Sequence, residues 1–543
     1  MLVGNPQEHP VMDDGIFLGY DKNIPLKNEG LGRLLAFLVS GWVGLPNRRL
    51  TIACPYWLVG DLQSLLEDHG VASDRYELLR TEEPWWRKLQ LRLKATERAI
   101  RPTVHRIRAW LRGEAFPEAK DFLKLFDTKP WYLGLLKGLK IAAIAAIVLW
   151  ILIRFWLVFV FFAAAFAIYR LWRELTKKRR IQSQQLSPKR QMRKQRRRRK
   201  RYAKEMQHLV GQVNEQQVVR NWLIPTPFWP EAHGISHRKS IVCPDLVLQE
   251  FPLRFADAGS EPIYARILHT LQEAQQLICY SQTVKSHQLV HGVGLASEQI
   301  EVIGHGRVEL GEYLKLGKTI PHQAEQKQIA LEHLRSYQRS FLSSNPYWNR
   351  FVWDRSNFVF YSSQARGQKN ILSLLRAIEI LRQRGEDPIR LVLTCERAAG
   401  SQIDLFLSEH RLDAWVLFAP GVSNQVLASL YCWSSLAVNP TLFEGGFPFT
   451  FTEAYSVGTP SLLSDIPMVR ERLADRENES GQLQERMLFD PMNPLDLADK
   501  IRWAVANREE LFALQRGLFE AFPTWEEVAQ RYSDSLRRGT DPV

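Results

Sequence analysis

A chain of 543 residues with 45% hydrophobic residues and a formal charge of +14 is long enough for two large domains and an accessory segment. The charge is one local feature: residues 170 to 204 hold 17 Lys or Arg and one Glu, leaving the remainder near −2, which argues against a basic surface spread over the molecule. Five scattered cysteines, Cys54, Cys243, Cys279, Cys395 and Cys432, include no C-x-x-C pair, which speaks against a disulfide framework or zinc site and fits a reducing compartment. The opening "MLVGNPQEHPVMDDG" has neither a basic nor an apolar signal region, so the bulk of the chain is expected in the cytoplasm.

In chain order, "GIFLGYD" (15 to 21) predicts a buried strand, and "NEGLGRLLAFLVSGW" (28 to 42) a Gly-rich turn entering a helix. Leu31, Leu34, Leu35, Leu38 and Trp42 recur there at helical spacing. A second strand is expected in "RRLTIACPYWL" and a helix in "DLQSLLEDHG", ending at Gly70. Residues 82 to 113 alternate Trp, Leu and Ile with Arg and Lys, the pattern of a helix lying on a membrane surface, with a basic helix packed on the protein as the alternative. Residues 141 to 169 are apolar except for Arg154. The basic run follows directly, and beside a membrane segment such charge attracts anionic lipid and marks the cytoplasmic side.

Beyond the basic run, "VVRNWLIPTPFWPEA" and "KSIVCPDLVLQEFP" supply two strands, and residues 261 to 306 read as helix, strand, helix, strand. Residues 313 to 345 are polar and helical in tendency, a connector. From residue 356 a second strand and helix series runs almost to the end. Strand alternating with helix predicts parallel sheets.

The most informative stretch is "SLAVNPTLFEGGFPFTFTEAYSVGTPSLLSDIPMVRERLAD" (435 to 475). It reads as a strand, a Gly and Pro rich turn carrying Glu444, a helix opening near Glu453, and another strand. A Gly-Gly loop feeding a helix start offers backbone N–H groups to a phosphate or diphosphate. Carboxylates beside such a site repel phosphate and suit hydroxyls instead, as on a ribose or a sugar ring.

This segment resembles the acidic donor-site motif of family 4 glycosyltransferases, retaining enzymes of the GT-B fold. The resemblance implies that Glu444 contacts the donor sugar, that Gly445, Gly446, Phe447 and Pro448 hold the diphosphate, and that Glu453 binds the ribose hydroxyls. Eight residues separate the two glutamates, against seven in the usual motif. "FVFYSSQARGQKNILSLLRAIEIL" is similar to the family's loop in which an Arg and a Lys meet the diphosphate, here Arg366 and Lys369. Fixed cations there stabilise charge developing on the leaving group. Residues 274 to 306 and 416 to 440, and "FPTWEEVAQRYSDSLRR", also resemble family segments, the last a helix crossing back between domains. Gly30 and Gly32 stand where the family has a Gly-rich loop against the donor phosphates. Where members often carry a "VHD"-like stretch, this chain has Pro244 in place of the His, followed by Asp245, expected to be catalytic with Glu444. His233, His237 and His305 are taken as ordinary surface or loop histidines. No metal is expected, since no D-x-D is presented and GT-B enzymes generally work without a bound cation; a nucleotide diphosphate sugar is the co-substrate.

The expected architecture is α/β, GT-B, with two Rossmann-like domains whose parallel sheets face a central cleft and an α-helical membrane insert in the first. Residues 1–81 and 206–345 form the first domain with its connector, 82–205 the insert and basic linker, 346–520 the nucleotide-sugar-binding domain and 521–543 the crossover helix. Strands before and after the insert should join one sheet, so both ends of the insert lie on one side of the bilayer. The 29-residue run would make one helix of about 43 Å, more than a hydrocarbon core of about 30 Å requires, or two short helices split at Arg154. A helical hairpin dipping into the bilayer, with Trp150 and Trp156 around Arg154, satisfies both limits. Lys137, Lys140, Arg170, Arg173 and Lys177 then keep both ends cytoplasmic.

The expected function is transfer of a hexose, with retention, from GDP-mannose or a UDP-hexose to a lipid-linked or polysaccharide-precursor acceptor. The expected location is the cytoplasmic face of the inner membrane, on anionic lipid. Two alternatives stand beside it: a catalytically inactive GT-B-like membrane scaffold, and, ranked last, a nucleic-acid binder using residues 170 to 204.

Overall fold

The computed structural model of the chain describes residues 12–22, 24, 26, 30–83, 188–255, 260–315, 317, 322–385, 389–474 and 480–538. Residues 1–81 and 205–543 make one compact unit and residues 82–204 another. Most of the expected insert, including the surface helix from residue 84 onward and the apolar run at 141–169, lies outside the described residues. Among the described residues no helix is long and apolar enough to cross a membrane.

The first sheet has seven strands: β1 (Met12–Phe17), β2 (Arg48–Cys54), β3 (Glu77–Arg80), β4 (Asn221–Ile224), β5 (Arg238–Val242), β6 (Leu277–Cys279) and β7 (Ile300–Val302). Their order is β3-β2-β1-β4-β5-β6-β7, with every pairing parallel. Ile16, Phe17, Ile52 and Ala53 are fully buried, as a parallel sheet covered on both faces requires. The first strand begins earlier than expected, and β3 went unpredicted because only two of its four residues are even partly buried.

Helix α1 (Gly30–Gly44) buries Leu34, Leu35, Leu38, Val39 and Trp42 along one side, the stripe visible in the sequence. Helix α2 (Pro188–Asn214) carries the basic run; Arg196 to Arg201 are exposed. In its last turns Met206, Leu209 and Val213 are fully buried while Gln207 and His208 stay exposed, so one face of this end joins the core.

The second sheet is formed by β8 (Phe358–Tyr361), β9 (Arg390–Leu393), β10 (Val416–Phe418), β11 (Leu436–Asn439), β12 (Ser461–Ser464) and β13 (Leu488–Phe489), in the order β10-β9-β8-β11-β12-β13. It too is parallel throughout. The connector contains helix α3 (Gln323–Phe341), whose Ala330 and Leu334 join Trp348, Phe351 and Trp353 in the core of the second domain. Helices α4 (Asn424–Trp433), α5 (Phe449–Tyr455) and α6 (Pro467–Ala474) precede or follow the strands that carry the expected site.

The terminal helix α7 (Trp525–Arg537) opens with a capping box between Thr524 and Glu527 and returns to the first domain. A Cβ on Gly41 of α1 would stand 2.1 Å from the Trp525 carbonyl oxygen, so only glycine lets these helices meet so closely. Asp14 of β1 is fully buried and accepts hydrogen bonds from Ser533 Oγ and Arg537 Nη2, each at 2.6 Å. Gln276 Nε2 donates to the Ser535 carbonyl at 2.9 Å. These contacts span the ends of the sequence, which makes the first sheet depend on the last helix. Replacing Asp14 with Ala leaves the Arg537 guanidinium and Ser533 hydroxyl without their acceptor. The expected loss is about 3 kcal/mol, read as a lowered denaturant midpoint, and near-wild-type unfolding would refute this role.

Candidate active site

In each sheet the strand order reverses beside its first strand, and in open parallel sheets the crevice beyond the strand ends at such a reversal is where ligands bind. In the second domain that point lies between β8 and β11, and both loops carrying the expected residues leave from it. After β8, the turn Gly367–Lys369 ends at Asn370, whose φ is 53°. Leu442 N donates to the Gln368 carbonyl at 2.8 Å and Thr441 Oγ1 does so at 3.2 Å. The two loops are therefore tied by their backbones, and this holds Lys369 Nζ against Glu444 Oε1. Both side chains of this pair remain about one-fifth exposed.

Asp245 comes from the other domain, in the loop after β5, and its Oδ1 accepts from Val247 N at 3.1 Å. Burial raises its carboxyl above the ordinary aspartate range; the Val247 hydrogen bond opposes this, Glu444 adds to it, and Lys369 and Arg366 oppose it. The structure thus brings Asp245, Glu444, Lys369 and Arg366 into one electrostatic neighbourhood across the cleft. Arg366 is exposed.

The glycine loop is closely covered by the first domain. A Cβ on Gly445 would lie 2.1 Å from the Pro244 carbonyl oxygen, and one on Gly446 would lie 2.9 Å from Tyr280 Cβ. Ser281 Oγ donates to the Gly445 carbonyl at 2.9 Å. Phe447 packs on Phe451 and Phe522, and Pro448 stands immediately before α5. That helix opens at Phe449, a turn earlier than predicted, so Glu453 sits inside it rather than at its start. Gly32 is tight against its own chain, since a Cβ there would meet the Leu26 carbonyl oxygen at 1.9 Å, whereas Gly30 has open space around it.

Glu453 is 1% exposed. Its Oε1 receives Arg33 Nη2, and its Oε2 accepts from the Tyr431 hydroxyl at 2.9 Å. Arg33 and Tyr431 were not singled out in the sequence. Arg33 directly follows the G-x-G of α1, a position that draws notice only once its partner 420 residues away is known. Tyr431 hides in an apolar helix. Glu471 was also missed: its carboxylate accepts from Gln282 N, Thr283 N and Thr283 Oγ1 at 2.7, 2.9 and 2.9 Å. It caps the π-helix Val284–Val293 of the first domain from α6 of the second.

His233 and His237 lie away from this cluster, His233 against the Thr270 carbonyl. His305 differs from the expectation of an ordinary loop histidine. Its ring stacks on Phe449 with centroids 4.4 Å apart, meets Tyr280 edge-on at 4.2 Å and faces Gly446. Both ring nitrogens are shut off from solvent, and burial holds the pKa down to about 4, with the Phe447 backbone pulling the other way. Among the described residues, no three His, Cys, Asp or Glu side chains are grouped to hold a metal ion.

Residues 349–516, which hold β8 to β13, match the family described as glycosyl transferases group 1. No curated protein sequence matches significantly. Among solved structures, the N-terminal domain of Candida albicans trehalose-6-phosphate phosphatase is similar at TM-score 0.53 and 11% identity, with 99% of each chain covered. HepE from Anabaena, solved with UDP and glucose, is similar at TM-score 0.52 and 11% identity, covering 98% of this chain and 100% of its own. Sucrose-phosphate synthase from Thermosynechococcus elongatus aligns at TM-score 0.45 and 16% identity over 63% of this chain and 79% of its own. The architecture is GT-B. The chain is a glycosyltransferase, by the match of its second domain.

The buried histidine makes stability fall on the acid side. Between the ordinary value of 6.5 and about 4, the unfolded chain binds a proton at residue 305 that the folded chain does not. Stability therefore drops as pH falls through that window, by about 3 kcal/mol in all. His305→Gln is expected to flatten this part of a plot of urea midpoint against pH; an unchanged slope would show that the ring titrates freely.

Proposed function

We propose that the chain transfers a hexose, with retention, from a nucleotide diphosphate sugar to an acceptor at the cytoplasmic face of the inner membrane. The observation that carries this reading is the convergence of Glu444, Lys369, Arg366 and Asp245 where the second sheet reverses order. Cleavage of the bond between the sugar's anomeric carbon and the phosphate oxygen throws negative charge onto the diphosphate. Lys369 and Arg366 are the fixed cations aimed at that charge. Glu444 and Asp245 accept hydrogen bonds from sugar hydroxyls and fix the ring's orientation. The acceptor oxygen bonds to the same face that the phosphate leaves, and its proton passes to the departing phosphate oxygen, so no protein nucleophile or metal ion is required. GDP-mannose and UDP-hexoses are both candidate donors; UDP and glucose accompany the Anabaena relative of similar fold.

A lipid-linked sugar or polysaccharide precursor is the proposed acceptor, with the membrane run holding the site near such molecules. Support comes from the apolar sequence at 141–169 and from the exposed cations of α2, suited to anionic headgroups. Tags at residues 130 and 180 are expected on the cytoplasmic side together; opposite sides would refute the hairpin.

A catalytically inactive scaffold is the second reading, favoured by the engagement of both Glu453 oxygens within the protein. Slow hydrolysis of a panel of sugar nucleotides by the full-length chain separates the two. Turnover of at least one donor is expected, with Lys369→Ala lowering kcat/KM about a hundredfold, the scale of losing one charge-stabilising group. Absence of turnover and donor binding would favour the scaffold, and wild-type kinetics in Lys369→Ala would sink the site assignment.

A further inference from the structure

We infer that Arg33 is a donor-binding residue that changes partner when the donor enters, leaving Glu453 to the ribose hydroxyls and taking the diphosphate from the side of the first domain. This rests on the nucleotide diphosphate sugar reading above. Glu453 is 1% exposed and covered by Arg33 and Tyr431, each on one carboxylate oxygen, so hydroxyls reach it only when one of the groups covering it moves. Tyr431 is not the one to leave. It is fully buried, its ring meets Phe360 edge-on at 4.6 Å, and its carbonyl accepts from Thr459 Oγ1 at 2.6 Å. Arg33 is held less firmly. Its side chain is 29% exposed, it lies over the Phe37 ring at 5.9 Å, and its Nε is buried without a hydrogen-bond partner.

Charge completes the argument. Two of the cleft's cations are neutralised within the protein, Lys369 by Glu444 and Arg33 by Glu453. A diphosphate adds negative charge to this balance, and a guanidinium released from a carboxylate beside it gains a bidentate anion of the kind its planar fork suits. The carboxylate left behind is not stranded, because ribose hydroxyls donate to it. Arg33 stands in the first turn of α1, and Lys369 and Arg366 belong to the second domain. The exchange therefore places cations from both domains on one ligand and couples donor binding to the closed arrangement of the cleft.

The test measures binding of UDP and GDP, and of uridine and guanosine, to the full-length chain by calorimetry and saturation-transfer NMR. Arg33→Gln is expected to weaken the bound nucleoside diphosphate at least tenfold while leaving the matching nucleoside unchanged or tighter, because Glu453 is released. Arg33→Lys should recover part of the loss and guards against a variant that fails to fold. Equal weakening of both ligands would show a structural role only, and tighter binding of both would show a plug; either overturns the inference. Lys369→Ala, measured in parallel, separates the two levels. If it weakens diphosphate binding and Arg33→Gln does not, the partner exchange fails and the donor reading stands. If wild type binds neither diphosphate, the donor reading fails and the exchange with it.

Discussion

The packing of the two domains is organised by carboxylates of the second, one buried and one half-buried, that find donors in the first. A carboxylate removed from water is costly unless its oxygens are hydrogen-bonded, and Glu453 meets that demand with Arg33 from the first domain and Tyr431 from its own. Glu471 meets it with two backbone N–H groups and a hydroxyl at residues 282 and 283. In each case a carboxylate of the second domain takes donors from the first. The geometry of Gly445 and Gly446 follows, since both sit where the first domain's backbone and side chains come too close for any Cβ. Side-chain placement and domain packing are thus one constraint: whatever brings Pro244, Tyr280 and His305 over the glycine loop also brings Asp245 into the neighbourhood of Glu444.

The crossover helix supplies the apolar counterpart. Trp525 stacks on Phe37 of α1 and tilts against Phe449 at the start of α5, so one indole touches the helix that carries Arg33 and the helix that carries Glu453. Thr452 Oγ1 accepts from Val308 N at 3.2 Å and Ser456 Oγ from Leu310 N at 3.0 Å. These bonds flank Glu453 on its own helix and bind it to the chain leaving the first domain. The short α5 is therefore fixed on several sides by the other half of the molecule, which keeps a seven-residue helix in place where propensity alone would not.

What the sequence disclosed was local, and what it concealed was distant. The acidic glycine loop stood out because Glu444, two glycines, a proline and Glu453 lie within ten residues, a local pattern that proposes its own chemistry. Lys369 and Arg366 were legible for the same reason, at the end of a strand. Arg33 was not, since nothing near "GLGR" announces a carboxylate 420 positions away. Asp14 reads as one more polar residue before a strand until Ser533 and Arg537 return to it. His305 carries no local mark of burial; its surroundings, Tyr280 and Phe449, come from two different domains. The helix start was misjudged because Glu453 looked like a first-turn acid, whereas Pro448 precedes the first turn of the helix and places the glutamate deeper.

The position of the long insertion follows from the first sheet's topology. Strand β3 is the sheet's edge, and the next strand in sequence, β4, lies on the far side of β1. The chain must cross back over two strands at this point whatever it carries, and connections of this kind already need a dozen or more residues. An insertion here lengthens a connection the fold requires in any case. Because β3 and β4 belong to one sheet, both ends of that connection are fixed by strand pairing, whatever residues lie between them.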